Sequence, residues 1–174
     1  MLTSQQTWRL TLFTIAAIVI GIICLANAKD KEKSGNEQRL SKKDLPSAVI
    51  SAFQTQYPNA QIKGVSKEIE DSTTHYEING VNGKSSFTIS YLSDGKSTEI
   101  EEVISSKKLP DSAQERIARD YPKGEIEVAE KVIKGDVITY EVKIENGKEI
   151  IEAVFDSTGT LITKEKATGK KEDD

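Results

Sequence analysis

The fold is decided by a segment that occurs twice, LPSAVISAFQTQYPNA at residues 45–60 and LPDSAQERIARDYPKG at residues 109–124. The two copies lie 64 residues apart, and the residues that follow them align at the same distance without a gap. All four prolines of the chain fall in these copies, as Leu-Pro at the start and Tyr-Pro towards the end. Self-similarity at a fixed distance is typical of a duplicated structural unit. We therefore interpret the chain after Lys43 as two tandem repeats.

Each repeat begins with a helical pattern. Pro46 can occupy the first helical position, where its missing N–H costs nothing. Val49, Phe53 and Tyr57 follow at intervals of four residues, which places them on one helix face. Pro58 then ends the helix, because proline cannot continue it. The corresponding residues of the second repeat are Pro110, Ala113, Ile117, Tyr121 and Pro122.

Strand patterns follow each helix, with polar and apolar side chains alternating over runs rich in β-branched and aromatic residues. Asn82-Gly83 and Asn146-Gly147 are predicted as two-residue hairpin turns, since such turns favour these residues at positive φ. The predicted strands cover residues 62–69, 74–78, 87–91 and 100–104 in the first repeat, and residues 126–133, 138–144, 151–155 and 161–164 in the second.

These patterns predict an α+β fold of two tandem units, each with one helix packed on a three- to four-stranded antiparallel sheet. Because so short a unit buries little surface alone, we expect the two sheets to join or pack closely. The repeats are predicted at residues 44–106 and 107–165. A polar linker at residues 29–43 precedes them, and a charged tail at residues 166–174 follows.

The N-terminal 28 residues have the three parts of a signal peptide. Arg9 precedes an apolar run from Leu10 to Leu25, and Ala26-Asn27-Ala28 supplies small residues for cleavage after Ala28. The alternative is an uncleaved single membrane anchor, although the run is short of the about 20 apolar residues that a spanning helix needs. Both interpretations place residues 29–174 outside the cytoplasm, in the periplasm or in the medium.

Composition excludes several classes of partner and chemistry. Cys24 is the only cysteine and precedes the cleavage site, so the mature protein would have no disulfide or reactive thiol. Ile23 before it disfavours lipid attachment. The net charge of −4 becomes −5 when Arg9 is removed, which argues against nucleic acid, because nucleic acid binds basic surfaces. We expect membrane contact only if the N-terminal segment remains attached.

Motif residues of the first repeat are Leu45-Pro46, Phe53, Tyr57-Pro58-Asn59-Ala60, Tyr76-Glu77-Ile78 and Asp94-Gly95. Those of the second repeat are Leu109-Pro110, Ile117, Tyr121-Pro122, Tyr140-Glu141-Val142 and Thr158-Gly159, where the last pair lacks the Asp. In these residues the chain resembles the PepSY-like family, also described as β-lactamase-inhibitor-like, over two tandem copies. The resemblance covers residues 44–165 and rests on structural residues.

The resemblance implies a bacterial envelope or secreted protein built from tandem helix-plus-antiparallel-sheet units. In the inhibitor relatives such a sheet is a concave platform for another protein. The family supplies no catalytic residue that could be transferred to a position of this chain, and no inhibitory loop matches residue by residue. Inhibition of a β-lactamase would therefore rest on an analogy of fold alone.

The residues themselves do not indicate an enzyme. His75, the only histidine, lies among the polar residues of a predicted strand, and Thr139 takes its place in the second repeat. The sequence has no Gly-x-Ser-x-Gly elbow, phosphate-binding loop or His/Cys metal spacing. Glu99, Glu101 and Glu102 form an acidic run that we interpret as a solvated face, since no calcium-binding loop surrounds it. We predict no catalytic residues, no cofactor and no metal.

One predicted strand face mixes apolar and charged side chains and is our candidate for contact with a partner protein or peptide. The alternative is that this face packs against the other repeat. The favoured function is a non-enzymatic exported binding or regulatory module, whose partner could be an envelope hydrolase or peptidase. A membrane-anchored structural or stress-related envelope protein is the second interpretation, and a small-ligand or metal-binding module is the third. The residues of the candidate face are Val137, Thr139, Glu141, Ile150, Glu152 and Val154.

Overall fold

A computed structural model describes residues 37–167 of the chain. The predicted signal or anchor segment at residues 1–28, the start of the linker and the end of the charged tail lie outside these residues. Within residues 37–167, no helix has the length and apolar character needed to cross a membrane.

The described residues form two α-helices, two short 3₁₀ helices and nine strands, which include the elements predicted for each repeat. The α-helices are α1 (Ser47–Gln56) and α2 (Asp111–Asp120), and the 3₁₀ helices cover Lys42–Asp44 and Ser106–Lys108. The strands are β1 (Gln38–Arg39), β2 (Gln61–Glu70), β3 (Thr73–Asn82), β4 (Ser85–Tyr91), β5 (Ser97–Val103), β6 (Glu125–Lys134), β7 (Val137–Asn146), β8 (Glu149–Asp156) and β9 (Leu161–Ala167).

All nine strands belong to one antiparallel sheet, in which they lie in sequence order. The predicted α+β class is confirmed, but the two small sheets are one continuous sheet. Strand β5 closes the first repeat and pairs with β6 of the second, with Ile100 opposite Ile133 and Glu102 opposite Lys131. This pairing satisfies backbone groups that two separate sheets would leave exposed at their edges.

The repeat begins earlier than the Leu-Pro motif. Leu40 N–H donates to the Val65 carbonyl at 2.9 Å, and Ile104 N–H donates to the Ala129 carbonyl at the same distance. Both residues of the second bond lie 64 positions after those of the first. Strand β1 is therefore the counterpart of the end of β5, and this part of the predicted linker belongs to the first repeat. At the other end, β9 runs to Ala167 and includes the first residues of the predicted tail.

Each helix packs on its own apolar cluster, as the helical stripes predict. Val49 and Phe53 of α1 are buried against the strands of the first repeat, and Ala113 and Ile117 of α2 against those of the second. The first cluster contains Leu45, Val49, Phe53, Val65, Ile78, Phe87, Ile89 and Tyr91. The second contains Leu109, Ala113, Ile117, Ala129, Val142, Ile144, Ile151, Ala153 and Phe155.

The starts of the helices and the hairpin turns differ from the prediction by one residue. Pro46 is the N-cap of α1, so its fixed φ precedes the first helical residue instead of forming it. Asn82 pairs with Ser85 as the last residue of β3, which leaves Gly83-Lys84 as the turn. Gly83 has the positive φ, at 63°. The prediction placed the turn one residue early because Asn-Gly is the usual pair for such turns, whereas here the asparagine still belongs to the strand.

Candidate binding face

The sheet has one face covered by helices and one face without them. Ile89, Ile100 and Ile133 lie opposite one another across β4, β5 and β6, and Ile89 belongs to the cluster under α1. Side chains of neighbouring residues along a strand point to opposite faces. Both α-helices place their buried residues on the side of Ile89. We call the other side the open face.

All six residues of the candidate face point to the open face from β7 and β8. Val154 lies opposite Glu141. The repeats meet side by side through β5 and β6, so these residues do not lie between them. Val137 is 61% exposed at the start of β7, while Ile150 and Val154 are half-buried and Glu141 is only 8% exposed. The apolar members are therefore separated by charge and form no continuous apolar patch.

A group of glutamates gathers on the open face where the two repeats meet. Strand β3 contributes one of them, β5 two, β6 one and β7 one. Each is buried or partly buried. We call this group the acidic cluster; its members are Glu77, Glu99, Glu101, Glu130 and Glu141.

The strand register brings the carboxylates of the acidic cluster side by side. Glu130 of β6 lies directly opposite Glu141 of β7. Ser90 of β4 lies opposite Glu77 on one side and Glu99 on the other. Like charges directly opposite each other on a sheet are destabilising, so the arrangement needs either protons or counter-charges.

Burial raises the pKa values of Glu77, Glu101, Glu130 and Glu141, and repulsion from other carboxylates adds to this at Glu77, Glu101 and Glu141. Burial, followed by the charge of Glu99, raises the pKa of the Glu101 carboxyl to about 7. Burial, followed by the charge of Glu130, raises the pKa of Glu141 to about 7 as well. Burial also raises the pKa of Glu77 and of Glu130. Near neutral pH, Glu101 and Glu141 are therefore each present in both the charged and the neutral form.

Two members of the acidic cluster have partners within the chain. The Ser66 hydroxyl donates to Glu77 Oε2 at 3.1 Å. Lys134 Nζ lies 2.8 Å from Glu99 Oε1. No hydrogen bond reaches the Glu141 carboxylate from any residue that the structure describes. The Tyr91 hydroxyl is the only fully buried side-chain polar group without a partner among residues 37–167, so the Glu141 carboxylate remains in contact with solvent.

A shallow concavity of about 280 Å³ overlaps the first-repeat side of the acidic cluster and is completed by Lys134 of the second repeat. His75 lies on its wall, on the open face, with Nδ1 3.4 Å from the Thr98 hydroxyl. The wall is mainly acidic, and its charged members are Glu68, Glu70, Glu77, Glu99 and Lys134. No three His, Cys, Asp or Glu side chains in residues 37–167 converge as metal ligands would.

The sequence pattern indicates only part of the acidic cluster. Glu99 and Glu101 were assigned to a solvated run together with Glu102, but Glu102 lies one position along β5 and points to the helix side. Glu130 was not singled out at all. The signal that could have found it is the repeat itself, because Glu130 occupies the position of Ser66, which already faces Glu77.

Comparison with known proteins supports the fold. A protein from Bacteroides eggerthii described as "putative periplasmic" is 14% identical and matches 70% of this chain and 88% of its own, with a TM-score of 0.59. A DUF2874 family protein from Bacteroides uniformis is 16% identical over 70% of this chain and 88% of its own, with a TM-score of 0.58.

A BLIP-like protein from Bacteroides fragilis is 15% identical over 75% of this chain and 92% of its own, also with a TM-score of 0.58. At such identities the likeness shows the fold alone. Curated proteins gave no match to the sequence. The family profile described as "Putative beta-lactamase-inhibitor-like, PepSY-like" matches twice, over residues 26–96 and 76–163. These two matches cover most of the chain and agree with its two repeats, so the chain belongs to the PepSY-like family.

Proposed function

We propose that this chain is a non-enzymatic, exported binding or regulatory module that engages a protein or peptide through the open face of its sheet. The observation that carries the proposal is a broad sheet surface with both α-helices on its other side and a cluster of five glutamates in its middle. Such a surface presents side chains from many strands at once, which suits an extended partner better than a small molecule.

Export is part of the proposal. Solved relatives of the same fold include one described as "putative periplasmic". The apolar run at Leu10–Leu25 agrees with passage across the inner membrane. N-terminal sequencing of the protein recovered from its host should find Lys29 first if the module is released. An intact Met1 would instead favour the membrane-anchored structural alternative.

Photo-crosslinking in the living host tests whether the open face meets a partner. The full-length chain would carry a photoreactive residue at Val154 or Thr139, which face the open side, or at Ala118, which is exposed on α2. We expect one discrete crosslinked partner from the two open-face positions and none from Ala118. Envelope hydrolases and peptidases are the first candidates for its identity. Absence of any crosslink from Val154 and Thr139 would contradict the proposal.

A further inference from the structure

The two ends of the sheet differ in how their backbone edges are covered. At the first end, β1 pairs with Ser66 and Lys67 of β2. At the other end, β9 pairs only with β8 among residues 37–167. Free N–H and C=O groups at a sheet edge form a template on which another extended chain can pair. The outer edge of β9 is therefore a place where a further strand can be added.

The first repeat shows how β9 presents its backbone. Ile104, just after β5, donates its N–H to a carbonyl of β6 at 2.9 Å. The backbone groups of Glu102 and Ile100 turn to the same side, because these groups alternate in direction along a strand. Lys166 and Lys164 lie 64 positions after Glu102 and Ile100. The N–H and C=O groups of these two lysines therefore point away from β8, towards the free edge.

The side chains of the same two lysines lie on the helix side of the sheet. Lys164 is opposite Ala153 and Lys166 is opposite Ile151, and both of these apolar residues belong to the cluster under α2. Residues directly opposite each other on neighbouring strands share a face. A strand added to β9 would therefore bring its own side chains beside both lysines.

The charges of the two lysines are only partly compensated. Lys166 Nζ lies 2.6 Å from Glu149 Oε1, and both side chains are exposed. Lys164 Nζ lies 5.9 Å from the centroid of the Tyr121 ring and forms no ion pair with any residue that the structure describes. Exposed ion pairs contribute little to stability, so a further carboxylate can approach both lysines.

We propose that the outer edge of β9 binds an extended, acidic segment of a partner protein, which adds an antiparallel strand with carboxylates opposite Lys164 and Lys166. Opposite charges directly across a strand pair stabilise it. The chain already contains such a pair at the corresponding place, since Glu102 of β5 lies opposite Lys131 of β6. This edge is separate from the open face, so the inference goes beyond the proposed function.

A second copy of this chain does not supply the required charges. In the register that joins β5 to β6, Lys166 of one copy would face Lys67 of another, and Glu165 would face Glu68. Like charges directly opposite each other are destabilising, and β1 already covers Lys67. The lysines of β9 therefore oppose self-association and admit a partner of opposite charge.

The first test uses a fluorescent eight-residue peptide of alternating glutamate and threonine, titrated with the protein purified from its host. We expect saturable binding of this peptide and no binding of the matching lysine–threonine peptide, because only the first brings carboxylates to Lys164 and Lys166. Equal binding of the two peptides, or binding of neither, would overturn the inference.

N-methylated peptides separate strand addition from simple attraction between charges. Glutamates opposite Lys164 and Lys166 would donate their N–H groups to β9, whereas the N–H groups of the threonines would point away. Methylation of the glutamate nitrogens should therefore weaken binding about tenfold or more, since several hydrogen bonds are lost. Methylation of the threonine nitrogens should leave affinity unchanged. The same effect from both modifications would contradict strand addition.

Matched double variants separate the edge from net charge. Replacing Lys164→Gln and Lys166→Gln should weaken the glutamate peptide about tenfold, because both cations opposite its carboxylates are removed. Replacing Lys107→Gln and Lys108→Gln removes the same charge from exposed positions before α2 and should leave affinity unchanged. An equal loss in both double variants would show non-specific attraction and overturn the inference. Thermal unfolding of both confirms that they fold.

The acidic tail of the chain is the alternative occupant of this edge. Glu172, Asp173 and Asp174 lie outside the described residues. Replacing Glu172→Gln, Asp173→Asn and Asp174→Asn in the full chain should leave affinity for the glutamate peptide unchanged. Peptide binding that begins only after this change would overturn the partner protein as occupant, because the tail would then compete for β9.

Discussion

Phe87 of the first repeat packs over Gly80, whereas the second repeat places Ile151 opposite Ile144 at the same two positions. A Cβ atom added at Gly80 would lie 2.5 Å from Phe87 Cζ, so the glycine makes the space that the aromatic ring occupies. Tyr57 then stacks on Phe87 with ring centroids 4.8 Å apart. The same backbone therefore accommodates either a phenylalanine beside a glycine or two isoleucines. This is possible because a core depends on the total side-chain volume and its fit more than on the identity of each residue.

The largest loss of stability is expected when the first repeat receives only one of the two residues that the second repeat uses at these positions. Gly80→Ile should destabilise the protein by about 3 kcal/mol, since the new side chain and the Phe87 ring claim the same space. The double change Gly80→Ile with Phe87→Ile should recover most of this loss. Chemical denaturation of the two variants and of the unchanged protein measures both effects. A double variant as unstable as the single one would contradict the equivalence of the two cores.

A second prediction concerns the glycine turns that rest on the helix starts. Gly95 has a φ of 87°, and a Cβ there would lie 2.6 Å from the Ala48 carbonyl oxygen of α1. Gly95→Ala should cost about 2 kcal/mol, from the strained φ and the displaced helix together. Gly83→Ala is the control, because Gly83 also has positive φ but has open space around it, and should cost about 1 kcal/mol. If thermal unfolding showed the same loss of stability in both variants, the contact between Gly95 and α1 would contribute nothing to stability.

A third prediction uses the one core position where the repeats differ by a hydroxyl. Tyr91 is fully buried, its hydroxyl has no hydrogen-bond partner in the described chain, and burial raises its pKa to about 12. Its counterpart is Phe155. Tyr91→Phe should stabilise the protein by about 1 kcal/mol, because an unsatisfied buried hydroxyl is removed. Phe155→Tyr should have the opposite effect, and a destabilising Tyr91→Phe would show that the hydroxyl finds a partner in solution.

A fourth prediction concerns the pH dependence of stability that Glu101 contributes. Its pKa is raised from 4.5 to about 7 in the folded chain, so the folded state keeps a proton that the unfolded state releases. The free energy of unfolding should therefore fall as pH rises from 4.5 to about 7 and level off above that. Glu101→Gln should flatten this slope and raise stability at pH 8. Chemical denaturation at several pH values measures this pH dependence of the free energy of unfolding. Glu165→Gln, at an exposed position of β9, is the control and should leave the pH dependence unchanged.

The two helices and the helix-side core could be predicted because they depend on local patterns. The stripes Val49–Phe53 and Ala113–Ile117 appear at the spacing of one helix face, and these residues are buried as expected. Strand β1 could not be predicted in this way. Gln38–Arg39 has no strand pattern of its own and is a strand only because Ser66 and Lys67 of β2 pair with it.

The acidic cluster, like strand β1, could not be predicted from local sequence patterns. Glu77, Glu101 and Glu130 are far apart in the chain, and each alone looks like an ordinary polar residue of a half-exposed strand. Burial raises all three pKa values, and the pairing of β5 with β6 adds the charges of Glu130 and Glu141 to the surroundings of Glu101. The candidate face predicted from β7 and β8 therefore included Glu141 but missed the four carboxylates contributed by the other strands.

Spacing and alternation along the chain are sufficient to indicate the duplication, the order of helix and strands in each repeat and the family. The union of the two repeats into one sheet became clear only from the folded chain. The pairing of β5 with β6 joins the backbone edges of the two repeats, and many different side chains are compatible with such a pairing. This pairing brings five glutamates from the two repeats together, so the charge of the open face is a property of the assembled sheet.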